Sequence, residues 1–168
     1  MYDVFLGGEK VGQVCITESD AVDIELVTPG RVLRAFRSLT WPRSDLTIQP
    51  PNGETLVNFD TNFYTDNTTP TTQTVALLGR TVLIEATPTT YTWHFGDGTT
   101  THTADPGAAY PALDITHDYA RVGTFAPSVD TTYTGRYRLD DGPWVTIPET
   151  LTVPGTTQPL TTIEARPT

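Results

Sequence analysis

Tyr91-Thr92-Trp93-His94-Phe95-Gly96-Asp97-Gly98 decides the fold class. Tyr91, Trp93 and Phe95 alternate with Thr92 and His94, the two-residue period of a strand with one apolar face. Aromatic side chains bury roughly 150 to 250 Å² each, so Trp93 and Phe95 on one side of a strand predict an inter-layer core rather than a ligand platform. Gly96 and Gly98 permit positive φ beside Asp97, whose carboxylate can accept hydrogen bonds from the N–H groups of its own turn. Thr116-His117-Asp118-Tyr119 and Gly123-Thr124-Phe125 follow; His117 and Tyr119, two apart on one face, are placed to tie the corner before the next strand.

The same period extends outward in both directions. Val57, Phe59, Thr61 and Phe63 share a face against Asn58, Asp60 and Asn62, and Val82, Ile84 and Ala86 repeat the pattern after a turn at Leu78-Gly79-Arg80. From Phe125 to Leu139 the residues Phe125, Pro127, Val129, Thr131, Tyr133, Tyr137 and Leu139 oppose Ser128, Asp130, Thr132, Thr134, Arg136 and Arg138. Asp141-Gly142 turns this run back into Trp144–Ile147, and Leu151–Val153 and Leu160–Ile163 are short apolar pieces among prolines. About eight short antiparallel strands, with turns roughly every 8 to 12 residues, predict an all-β sandwich over residues 45–168, with its motif core at 74–153.

Residues 1–44 read as an extension. Val4–Leu6 and Val11–Ile16 flank Gly7-Gly8 as a hairpin, and Glu18, Asp20, Asp23 and Glu25 make an acidic linker. Thr28-Pro29-Gly30 then opens a short helix over 29–40, with Thr28 as cap and Val32, Leu33, Phe36 and Leu39 on one stripe. Arg31, Arg34 and Arg37 lie opposite that stripe, near Arg43, either as a solvated face or as a docking helix for an anionic partner, with Phe36 available to a protein if the stripe stays uncovered.

Composition agrees with this outline. The 168 residues include 34 Thr, 14 Pro and 13 Gly, a turn-rich, β-branched mixture unsuited to helical bundles. A formal charge of −10 excludes nucleic acid as the expected partner. There is no run of 18 apolar residues and no visible export signal, so membrane insertion is not expected. Cys15 is the only cysteine, which excludes an internal disulfide; it reads as a buried thiol, with a partner upstream of Met1 as the alternative.

The block Tyr91 to Gly98, the pair His117 and Tyr119, and Gly123-Thr124-Phe125 resemble the PKD (polycystic kidney disease) domain family, whose signature is a Trp-x-Phe-Gly-Asp-Gly turn, a His-x-Tyr and a Gly-Thr-Tyr. The resemblance implies an immunoglobulin-like antiparallel sandwich in which Trp93, Phe95, Gly96, Asp97, Gly98, His117, Tyr119 and Gly123 are architecture, Tyr119 forming a tyrosine corner. It implies a non-catalytic extracellular or cell-surface module that binds a protein or polysaccharide of the cell envelope. An accessory domain of a secreted enzyme or export-linked assembly is the alternative, and a small hydrolase a third. With Asp105-Pro106-Gly107 and Ala109-Tyr110-Pro111, the block is also similar to secreted actinobacterial proteins, and one Lys against nine Arg suits a GC-rich genome.

Two features depart from the family. His94 stands where an acid is common, and should face solvent; the connection Thr99–Thr116 is long. That connection is the expected contact loop, with His94, Thr101, His102, Asp105 and Tyr110 as its candidate binding residues and Leu113 nearby. No set of serine or histidine residues reads as catalytic, and Asp140-Asp141 reads as turn chemistry. No cofactor is expected. Calcium is the secondary reading, through loop carboxylates Asp97, Asp105, Asp114 and Asp118, ahead of zinc through His94, His102 and His117. The row Thr132, Thr134, Arg136 and Arg138 is a solvated strand face or an edge for strand addition.

Overall fold

The computed structural model describes residues 2–6, 9–14 and 26–165; Cys15 and the acidic linker lie outside the described residues. In chain order the elements are β1 (Tyr2–Leu6), β2 (Glu9–Val14), α1 (Pro29–Ser38), β3 (Thr47–Gln49), β4 (Glu54–Leu56), β5 (Thr61–Tyr64) and β6 (Thr71–Leu77). They continue with β7 (Arg80–His94), β8 (Thr100–Thr103), β9 (Thr116–His117), β10 (Gly123–Phe125), β11 (Ser128–Leu139), β12 (Val145–Val153) and β13 (Leu160–Ile163). β1 and β2 form the expected antiparallel hairpin.

The main sheet runs β12-β11-β7-β6, with β8 sharing the β6 edge of β7. Two three-stranded sheets, β3-β5-β9 and β10-β13-β4, supply the other layer. All pairings are antiparallel except β13 with β4. The chain is thus an immunoglobulin-like β-sandwich with one short helix among the described residues.

β7 joins what the sequence pattern separates. Val82, Ile84, Ala86 and Pro88 are buried at even positions, then Tyr91 and Trp93 at odd ones. The register against β11 passes from Tyr133↔Pro88 to Thr132↔Thr90, so Thr89 is an inserted residue, a β-bulge that resets the alternation and keeps one face inward throughout. Pro88 sits beside it, where the missing N–H costs no ladder bond because β6 ends opposite Ala86 and β8 begins opposite Tyr91.

That face is covered twice. Tyr91, Trp93 and Val129 pack with Leu46, Phe63, Phe95, Ile115, Tyr119, Phe125 and Leu160 from the small sheets and their loops. Farther along, Val82, Ile84, Ala86, Tyr133 and Ile147 pack against Val32, Phe36 and Trp41. The helix therefore closes the end of the sheet that the second layer does not reach. Its start is as expected: Thr28 accepts from Arg31 N–H and Pro29 fills the first turn. It stops at Ser38 rather than 40, where the Trp41 indole donates to the Phe36 carbonyl at 2.8 Å and so satisfies one open acceptor of the last turn.

Three sequence expectations are corrected. Phe36 is fully buried, so the helix stripe is core and not a docking surface. Val57 to Phe63 is not one strand: Asn58 has φ of 56° and turns the chain, leaving Phe59 47% exposed while Asn62, read as outward, is buried. The run from Phe125 to Leu139 breaks at Ala126-Pro127, and its two pieces join different sheets; the Thr132-to-Arg138 row lies on a strand flanked by β12 and β7, so it offers no edge. On the wet face of that strand Arg136 pairs with Glu85 and lies over the Trp144 ring.

Phe36→Ala is expected to cost about 3–5 kcal/mol in urea unfolding, comparable to Trp93→Ala, because each empties a closed core. If α1 were only an ornament on the sandwich, Phe36→Ala would unfold with wild type.

Candidate functional site

The glycine-flanked turn is held from inside. Asp97 Oδ1 accepts the Thr99 N–H at 2.9 Å and the Thr99 hydroxyl at 2.6 Å, and Oδ2 bonds His117 Nε2 at 2.7 Å. The His117 ring stacks on Phe95 at 4.2 Å between centroids, and the Tyr119 hydroxyl donates to the Phe95 carbonyl at 2.8 Å, closing the tyrosine corner. Gly96 is at φ 82°, and a Cβ there would stand 2.7 Å from the backbone nitrogen of Ala126, so only glycine fits. Gly98 is also at positive φ, and Gly123 lies on β10 under the Phe125 ring. Burial alone would raise the Asp97 carboxyl; the hydrogen bonds from Thr99 and the bond and charge of His117 outweigh it and hold the group at about 2. Burial, and then the Asp97 charge, push the Tyr119 phenol well above its ordinary range. These groups satisfy one another.

The long connection divides in two. Its first part is β8, along the edge of β7: Thr101 lies opposite Trp93, His102 Nδ1 bonds the Thr92 hydroxyl at 2.9 Å, and the neighbouring His94 bonds Asp130 at 3.0 Å while remaining partly exposed. Asp105 accepts the Gly107 N–H at 2.8 Å and shapes the bend. The second part carries Tyr110 to the other layer, where its N–H donates to Gln49 Oε1. The five candidate loop residues are therefore not one site.

Tyr110 instead helps form a cleft of about 390 Å³, lined by Gln49, Pro50, Pro51, Phe59, Asp60, Asn62, Tyr110 and Leu113. Phe59, Tyr110 and Leu113 are 47, 72 and 49% exposed. The Gln49-Pro50 and Tyr110-Pro111 bonds, both cis, lie on its wall. Asn62 is 1% exposed and donates from Nδ2 to Gln49 Oε1 and to the Ala108 carbonyl; its Oδ1 is buried without a hydrogen-bond partner. A buried unpaired amide oxygen is costly, and a ligand donor would relieve it. The sequence pattern missed Phe59 and Asn62 because it ran a strand through Asn58; the available signal was Asn58 itself, a residue that tolerates left-handed backbone.

The arginines of α1 and the metal candidates do not gather at the cleft. Arg37 pairs with Glu149, while Arg31 and Arg34 lie apart from the cleft, near the end of β6. Among the described residues no three His, Cys, Asp or Glu side chains converge as metal ligands. Asp97 bonds Thr99 through Oδ1 and His117 through Oδ2, Asp105 Oδ1 accepts from Gly107, and among the described residues neither Asp114 and Asp118 nor His94, His102 and His117 complete a set. Asp140, of the acidic hairpin, is held by Arg80, whose hydrogen bond lowers its carboxyl.

Because Asp97 is depressed from 3.8 to about 2 in the folded chain, its stabilisation is present above pH 4 and lost as pH falls through 2. Relative to Asp97→Asn, wild type is expected to be more stable at pH 6 by at most about 2 kcal/mol, less what solvent screening removes, and the gap should close by pH 2 in paired urea titrations.

No curated protein and no solved structure gives a significant match to the chain. The family model for the PKD domain matches residues 62–132, from β5 into β11, less than half the chain and shifted toward the N-terminus relative to the expected core. α1, β12 and β13 lie beyond that span. PKD domains are generally non-catalytic and typically extracellular, and no helix among the described residues is long and apolar enough to cross a membrane. The matched span holds the Asp97–His117 bond and the Tyr119 corner at its centre, so the segment from residue 62 to residue 132 is similar to a PKD domain.

Proposed function

We propose that the chain is a non-catalytic extracellular or cell-surface module that binds an envelope polysaccharide in the cleft between Phe59, Tyr110 and Asn62. The observation that carries this reading is the pairing of exposed aromatic side chains with one buried, unpartnered acceptor. Sugar rings have an apolar C–H face and a rim of hydroxyl donors. Phe59 and Tyr110 supply flat apolar area at little entropic cost, and Asn62 Oδ1 supplies the acceptor a hydroxyl would satisfy. Burial of the helix stripe favours a polysaccharide over a protein docked on α1, since the stripe is already occupied by the sheet.

Phe59→Ala and Tyr110→Ala are each expected to weaken retention on purified cell-wall polysaccharide about tenfold while shifting the thermal midpoint by no more than about 2 °C, since both side chains are exposed. Unchanged retention by the double variant would remove the cleft from the reading; retention of a protein instead of the glycan would favour an accessory module of a larger assembly.

A further inference from the structure

The main sheet has two long edges, and they are built differently. The β12 edge contains Pro148 and breaks its register with β11, where Thr134 pairs with Thr150 and Gly135 with Ile147, so Pro148 and Glu149 bulge out. Proline, charge and a bulge are the usual guards against another strand. β6 has none of these: Thr71-Thr72-Gln73-Thr74-Val75-Ala76-Leu77 is uncharged, contains no proline, and keeps an unbroken register with β7.

The turn fixes which backbone groups of β6 face outward. Leu78 and Gly79, at φ 52° and 73°, form a two-residue hairpin loop, so Leu77 and Arg80 exchange both ladder bonds. Counting back by twos, Val75, Gln73 and Thr71 also bond to β7. The N–H and C=O groups of Thr72, Thr74 and Ala76 therefore point away from the sheet, and among the described residues no strand pairs with them.

Beside this edge lies a second groove, of about 320 Å³, between α1 and the end of β6, lined by Arg31, Arg34, Ala35, Ser38, Leu77 and Leu78 among others. Its floor is apolar and two arginines border it, an exception on a chain of formal charge −10. A strand added at Thr72, Thr74 and Ala76 would direct alternate side chains toward this groove.

We propose that the β6 edge accepts an extended segment of another protein in which apolar residues alternate with Asp or Glu. Backbone bonds to Thr72, Thr74 and Ala76 hold the segment, and its acids meet Arg34 of α1. This site is separate from the cleft and does not depend on what the cleft binds.

The test uses the full chain and a capped eight-residue synthetic peptide of alternating valine and glutamate, with a valine–lysine peptide as control. Wild type is expected to bind the acidic peptide, more weakly as salt rises, with amide exchange slowed at Thr72, Thr74 and Ala76. Thr74→Pro removes an outward N–H without touching the β6–β7 ladder, and Arg34→Glu reverses one exposed charge; each should weaken binding at least about tenfold. Arg34→Glu keeps the test decisive if the proline variant unfolds. Protection that maps elsewhere, equal binding of the lysine peptide, or binding indifferent to Arg34→Glu would overturn the proposal. A wild-type dimer that Thr74→Pro dissociates would also overturn it, by making a second copy the occupant.

Discussion

A fifteen-residue strand spans about 50 Å, and one of its faces can stay dry over that length only if something covers all of it. β7 sets this constraint. Its inserted Thr89 allows Val82, Ile84 and Ala86 to face the same way as Tyr91 and Trp93, and the Thr89 hydroxyl fastens the bulge to the Thr132 carbonyl. Once that face is continuous, two separate covers are required. The small sheets cover the aromatic end, and α1 with Trp41 covers the aliphatic end. Gly135 belongs to the same requirement, because a Cβ there would meet Ile147 and the Phe36 ring at about 3 Å.

Where the two covers meet, the interior is polar. The Tyr133 hydroxyl donates to the Pro42 carbonyl and accepts from Asn67 Nδ2, which also reaches Ser44; Ser44 in turn bonds Thr131, and the Tyr91 hydroxyl donates to the Asn67 carbonyl. Burial raises both phenols above their ordinary values, so they act as neutral donors. The linker after the helix is thereby pinned to the centre of the sheet, and every partner in the seam is internal. The Asp97 turn follows the same economy at the other end of the aromatic core. The cleft at Asn62 departs from it, with an oxygen left over beside the exposed rings of Phe59 and Tyr110.

The fold was legible wherever local chemistry and tertiary context agree. Trp93, Phe95 and the Gly96-Asp97-Gly98 turn are read correctly because alternation, aromatic size and glycine geometry all point one way. Reading fails where one residue resets a pattern. Thr89 makes one strand look like two, Asn58 makes a turn look like a strand, and Ala126-Pro127 divides a run whose period never falters. The site was half visible: Tyr110 and Leu113 stand in a connection whose length marks it, whereas Gln49, Phe59 and Asn62 join them only through contacts far apart in sequence. The guarded and unguarded sheet edges were not visible at all, since strand order is not encoded in the period of any single strand.

β13 lies in the middle of its sheet, between β10 and β4, parallel to the latter, with Leu160 wholly enclosed. This strand is therefore a keystone rather than an edging. Without it, β4 and β10 would lack their shared neighbour and the aromatic core would lose Leu160. The second layer is complete only once Leu160–Ile163 lie between β10 and β4, so its closure joins segments about 35 and 105 residues apart in sequence.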